Sequence, residues 1–195
     1  MSQPRFSRLR VSTEFELGRN PSESIYDELD RTYLMDIFAL DGTEDEDGIP
    51  GDSKVGSFEV CLLRFDVALN LNQSPELVAD AQSRLILDIC EMVSSELEHS
   101  DMGGGTHIAT LLVRNIDLPG DLQGTQLELD AIRAGLIGMS TGVSRAFLVL
   151  PSAMTTSPQS LNAAALRYAP LGFKPAELGS DLLWLDLELA QFWCD

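Results

Sequence analysis

The chain has 195 residues, 44% hydrophobic and 23% charged, proportions of a soluble globular protein long enough to bury a core as one domain. Thirteen Lys and Arg face thirty-one Asp and Glu, a formal net charge of -18. That balance excludes nucleic-acid binding through a general basic surface and disfavours an anionic membrane surface; a cationic partner, a neutral one, or an anion held by a local site remain.

In chain order, residues 8–17 alternate as a strand, and residues 21–30 suit a short helix capped by Ser22 or Ser24. Residues 32–40 read as an apolar-rich strand that runs into the acidic turn Asp41-Gly42-Thr43-Glu44-Asp45-Glu46-Asp47-Gly48. Residues 55–69 read as a second, long or bulged strand, antiparallel to the one before it. Ser74 caps a helix with Pro75 in its first turn, and Leu77, Val78, Ala81, Leu85, Ile89 and Met92 form its apolar stripe. Met102-Gly103-Gly104-Gly105 ends that helix.

The second half has a different rhythm. Residues 107–116 are a strand, 117–123 a loop, and 124–139 a helix. Residues 145–150 are a strand whose run Ala146-Phe147-Leu148-Val149-Leu150 predicts burial on both faces. Ser157 and Pro158 open a helix over 159–168 that Pro170 ends, and residues 173–176 and 182–187 are two strands turning at Gly179-Ser180. The expectation is an α/β protein, one domain with a single mixed sheet of six or seven strands. Residues 1–105 hold the N-terminal strands and long helix, and residues 106–195 the second half.

Several constellations lead nowhere. Cys61, Cys90 and Cys194 are too few and scattered for a disulfide framework or zinc site, and Cys61 and Cys90 read as small buried hydrophobes. His99 and His107, the only histidines, match no metal spacing, and no metal is expected. Asp45, Asp47 and Gly48 echo a calcium loop, but Thr43 and Lys54 hold its first and last ligand positions. Ser140, Thr141 and Ser144 have no partnered base, and no Lys or Ser/Thr pattern follows Gly103-Gly104-Gly105. Phe192 and Trp193 are candidate docking aromatics. Every apolar segment is interrupted by polar or charged residues, so neither a membrane span nor a leader is expected and a cytoplasmic location is.

Two segments carry chemistry. A loop that leads from a strand into a helix N-terminus presents backbone N–H groups and the positive end of a dipole, as Gly120 and Gly124 around Asp121-Leu122-Gln123 would. Further on, Asn162-Ala163-Ala164-Ala165-Leu166-Arg167-Tyr168 leads through Leu171-Gly172-Phe173 into Leu182-Leu183-Trp184-Leu185-Asp186-Leu187. This element resembles the closing helix and hairpin of the GCN5-related N-acetyltransferases (GNAT), with Tyr168 four residues before Gly172 as in that family. The resemblance covers residues 106–187; the first half carries no motif of its own.

The resemblance implies a GNAT-like domain using acetyl-CoA, with Tyr168 as general acid to the departing thiolate and Asn162 early in the same helix. Ile116 and Leu118 would offer backbone groups to the pantetheine arm at the splayed end of the fourth strand. Gln123, Gly124, Thr125 and Gln126 would form the pyrophosphate cradle. The family pattern Arg/Gln-x-x-Gly-x-Gly/Ala aligns without gaps on residues 121–126, keeping Gly124 but placing Asp121 and Gln126 at the other two positions. A carboxylate 4 Å from a phosphate charge opposes it by about 4 kcal/mol at an effective dielectric of about 20. An amine nucleophile needs a base, for which Glu59 and Asp117 are the candidates.

Two functions follow. One is acetyl transfer to an amine-bearing small molecule or a basic protein, with cofactor binding weakened or lost. The alternative is a non-catalytic acidic protein on the same fold that binds or inhibits a basic protein. Either allows a homodimer and neither needs a nucleic acid or a membrane.

Overall fold

Period-two alternation decides which layer each sheet residue joins. The computed structural model describes residues 5–13, 30–44, 50–70, 74–99, 109–151, 157–176 and 181–188. Its strands are β1 (Phe6–Ser12), β2 (Asp30–Glu44), β3 (Pro50–Arg64), β4 (Ala109–Asp117), β5 (Arg145–Val149), β6 (Lys174–Pro175) and β7 (Leu182–Asp186). The helices are α1 (Phe65–Asn70), α2 (Pro75–Gln82), α3 (Arg84–His99), α4 (Gln126–Met139) and α5 (Pro158–Tyr168), with a 3-10 turn over Ala169–Leu171. The strands form one seven-stranded sheet in the order β1-β2-β3-β4-β5-β7-β6. Among the described residues only β4 and β5 are parallel, as a strand-helix-strand crossover through α4 requires.

Met35, Ile37, Phe58, Val60, Leu111, Val113, Ala146 and Leu148 point to one face and pack with α4, Ala164 and Tyr168. Cys61, Leu63, Leu112 and Phe147 point to the other and pack with Phe65, Ala79, Ile86, Ile89 and Cys90 of α1, α2 and α3. The sheet is thus the middle of three layers, and β5 is buried on both faces as its unbroken apolar run predicts.

The expected strand over 55–69 is corrected at its end: β3 stops at Arg64, and residues 65–69 are helical, with Phe65 fully buried in the second core. The single helix expected after Ser74 is two. Ser83 ends α2 and accepts from the Ile86 N–H through its hydroxyl at 3.2 Å, restarting the chain as α3. The break rotates the apolar stripe, leaving Leu77 74% exposed while Ile86, Leu87, Ile89, Cys90 and Val93 are buried. Ser74 does cap α2, its hydroxyl accepting from Leu77, and Ser157 forms a capping box with Ser160 on α5. The expected helix within residues 21–30 lies outside the described residues except for Asp30. So do residues 45–48 of the acidic turn, whose first four residues, 41–44, instead continue β2, and Gly103 to Gly105, His107, the turn at 179–180, Phe192, Trp193 and Cys194.

β4 leaves β5 before its own end. Its ladder with β5 ends at Val113↔Leu148, while its pairing with β3 goes on to Ser57↔Asp117. The β3–β4 register shifts between Ser57 and Glu59, and Asn115 takes the left-handed conformation at φ 52, a bulge that bends β4. The bend brings the chain close over Gly56: a Cβ there would lie 2.4 Å from the Asp117 carbonyl oxygen. Only a residue without a side chain fits.

Candidate functional site

Four backbone donors of the segment from β4 to α4 are spent internally. Leu122 and Gln123 both donate to the Pro119 carbonyl, at 2.9 and 3.1 Å, and Thr125 donates to Leu122 at 3.3 Å. The Gly124 N–H donates to a carboxylate, Glu128 Oε2, at 2.5 Å. Gly124 takes φ +75, and a Cβ there would press on Arg167 Nε at 3.2 Å.

Glu128 is the third residue of α4, a charged side chain that is buried, 1% exposed. Its Oε1 accepts from the Tyr168 hydroxyl at 2.8 Å, and its Oε2 also accepts from the Arg167 guanidinium. The carboxylate therefore stands at a helix N-terminus, where the dipole favours a negative charge, ringed by a backbone N–H, a guanidinium and a phenol. Arg167 also lies over the Tyr168 ring, 5.3 Å from its centre. These contacts tie the start of α4 to the end of α5. Burial, then the Glu128 charge and hydrogen bond, push the Tyr168 phenol far above its ordinary value, only partly opposed by Arg167. The phenol keeps its proton and directs it to Glu128 as a hydrogen bond.

The expected site residues are only partly brought together. Gln123, Gly124 and Gln126 are exposed, Thr125 is half-buried, and Leu118 is buried beneath the loop. The Thr125 hydroxyl donates to the Leu122 carbonyl at 2.7 Å, Gln123 to the Leu118 carbonyl at 2.9 Å, and Gln126 to Asp130 at 2.8 Å. Ile116 is half-buried next to exposed Asp117 at the end of β4. Asp121 is exposed; the carboxylate at the Gly124 amide is that of Glu128. On α5, Leu161, Ala164, Ala165 and Tyr168 face the first core, which leaves Asn162 exposed on another side.

Glu59 alternates with Phe58 and Val60 of the first core, so it projects from the sheet face opposite Tyr168. It is half-buried and accepts from Arg114 Nε at 2.9 Å. Around this pair, Thr32 contacts Cys61 at 3.2 Å and Asp30 at 3.4 Å. Burial, against the pull of Arg114, raises the Asp30 carboxyl above its ordinary value, and burial raises the Cys61 thiol to about 11. Cys61 is therefore an unreactive core thiol. No group of three or more His, Cys, Asp or Glu among the described residues is placed to hold a metal.

Glu128 and Arg167 were missed in the sequence. The signal for Glu128 is Thr125-Gln126-Leu127-Glu128, a Thr with Glu three residues on, ahead of an apolar run. No helix of the described residues is long and apolar enough to cross a membrane. No protein-family model matches this chain, and no curated protein matches it in sequence.

Proposed function

We propose that the chain is a non-catalytic acidic protein on a GNAT-like fold, with its acetyl-CoA cradle closed by its own Glu128, and that it binds a basic protein face. The carrying observation is the Gly124–Glu128–Tyr168 linkage. It occupies together the amide that would hold a pyrophosphate and the hydroxyl that would protonate a thiolate.

Support for the fold is the parting of β4 from β5 beyond Val113, the helix α4 that follows, and α5 leading into the β6–β7 hairpin. Support for lost catalysis is chemical. Proton donation by Tyr168 would leave a phenolate against the Glu128 carboxylate, two like charges in a buried site with one guanidinium between them. A pyrophosphate at Gly124 would likewise have to displace that carboxylate. Support for a basic partner is the net charge of -18, which draws cationic surfaces and speeds their encounter at low salt.

Calorimetric titration at low salt tests both parts. Acetyl-CoA and CoA at millimolar concentration should give no binding heat, and an arginine-rich peptide should bind with an affinity that falls as salt is added. Micromolar acetyl-CoA binding, abolished by Gly124→Trp, would overturn the closed cradle. It would return the chain to acetyl transfer onto an amine, with Tyr168→Phe the next variant to assay. Absence of peptide binding would overturn the basic partner.

A further inference from the structure

Cations are scarce in this chain, and most of those in the described residues sit against a carboxylate. Arg8 is held by Asp52 through both oxygens, at 2.9 and 3.0 Å, and Lys54 by Asp36 at 2.6 Å. Arg10 differs. Its guanidinium lies 5.0 Å from the centre of the Phe38 ring, which Arg8 also covers at 5.0 Å, and no carboxylate among the described residues pairs with it. Asp36, directly across from Arg10 in the β1–β2 register, is engaged by Lys54. The ring orients the Arg10 guanidinium, whose N–H donors meet no carboxylate among the described residues.

Arg10 stands on β1, which is terminal in the sheet and pairs with β2 alone among the described residues. A terminal strand carries a row of backbone N–H and C=O groups on its outer side. Side chains alternate along it: Arg8 and Arg10 lie on one face, Leu9 and Val11 on the other, and Val11 is 52% exposed.

We infer that the outer edge of β1 takes an extended acidic peptide as an added strand. Carboxylates at alternate positions meet Arg10 and the Arg8 side of the ring, and apolar residues between them cover Leu9 and Val11. A second copy of β1 is a poor occupant. Antiparallel pairing about Leu9 would set each Arg8 opposite an Arg10, and like charges directly opposed destabilise a strand pair. The charge of -18 repels an acidic peptide at long range, but at physiological ionic strength that repulsion is screened over about 8 Å while contacts at Arg10 are not. This inference does not depend on the closed cradle.

The test uses the full chain, nitrogen-15 labelled, titrated at physiological salt with a capped seven-residue peptide of alternating Glu and Val. Amide resonances of Ser7 to Ser12 should move saturably and exchange more slowly with solvent. Arg10→Gln, an exposed change, should weaken binding about fivefold, and methylating alternate peptide nitrogens should abolish it. A Lys–Val peptide binding equally well would overturn the inference. So would unchanged affinity of Arg10→Gln or of the methylated peptide, or shifts confined to amides away from β1.

Discussion

Glu128 illustrates how a single buried carboxylate decides the chemistry of its surroundings. Three donors offset its lost hydration, and removing it takes that acceptor from all of them, the buried Tyr168 hydroxyl included. Glu128→Ala removes the carboxylate that faces the Arg167 guanidinium, the Tyr168 phenol and the Gly124 amide together, and should cost about 3–5 kcal/mol of stability in urea unfolding. Glu128→Gln keeps the acceptor for Gly124 and should cost less, about 1–3 kcal/mol. Added formate should restore part of the loss in Glu128→Ala, since a small carboxylate fits the vacated donors, and should leave the parent chain unchanged. Equal stability of all three chains would mean that the linkage holds nothing together.

The buried thiols and the phenol give the protein an alkaline signature with a definite sign. Burial raises Cys61 and Cys90 from 9.0 to about 11, and Tyr168 is raised above 10.0. Each is neutral when folded, so above its unfolded value the unfolded chain binds fewer protons than the folded one. Their contribution is complete below about pH 9 and is lost as pH rises toward about 11, with Tyr168 extending the loss higher. Unfolding midpoints between pH 8 and 11 check this, roughly in steps of 1.4 kcal/mol per unit for each group between its two values. A Cys61→Ala/Cys90→Ala chain should show a shallower slope.

At the scale of elements, the bulged end of β4 and the start of the β4–α4 loop are shaped by what they close against. Gly56→Ala would drive its Cβ into the Asp117 carbonyl and the Leu118 side chain, at 2.4 and 2.7 Å. A backbone oxygen cannot swing aside, so a cost of about 2 kcal/mol is expected, lowering the melting temperature by about 4–8 °C. Gly120→Ala, with open space around its Cβ, is the control and should melt with the parent. Strands and caps were legible here because alternation and Ser-Pro pairs are local signals. The α2–α3 break was not, since Gln82-Ser83-Arg84 holds neither Gly nor Pro and the apolar spacing runs through it. The site was half legible: Tyr168 and Gly124 stand out by motif, but their linkage runs through a carboxylate 40 residues from the phenol. The motif position falls on Asp121, which the turn leaves in solvent.

Over the whole molecule, the order of elements could be read, whereas the crossover that sets β7 between β5 and β6 is a tertiary choice that local patterns do not encode. Charge acts at this scale too. Thirty-one acidic groups face thirteen basic ones, so unbalanced repulsion opposes the folded state more than the expanded one. Raising sodium chloride from 10 to 150 mM shortens the screening length from about 30 to about 8 Å, which weakens that repulsion while barely touching the buried Glu128–Arg167 contact. Melting temperature should therefore climb over this range and level off before molar salt. A fall instead would mean that surface ion pairs, which the same salt weakens, outweigh the net charge. The two signs separate an acidic shell that the fold merely tolerates from a balanced network of pairs, and only an unbalanced shell leaves carboxylates free for a basic partner.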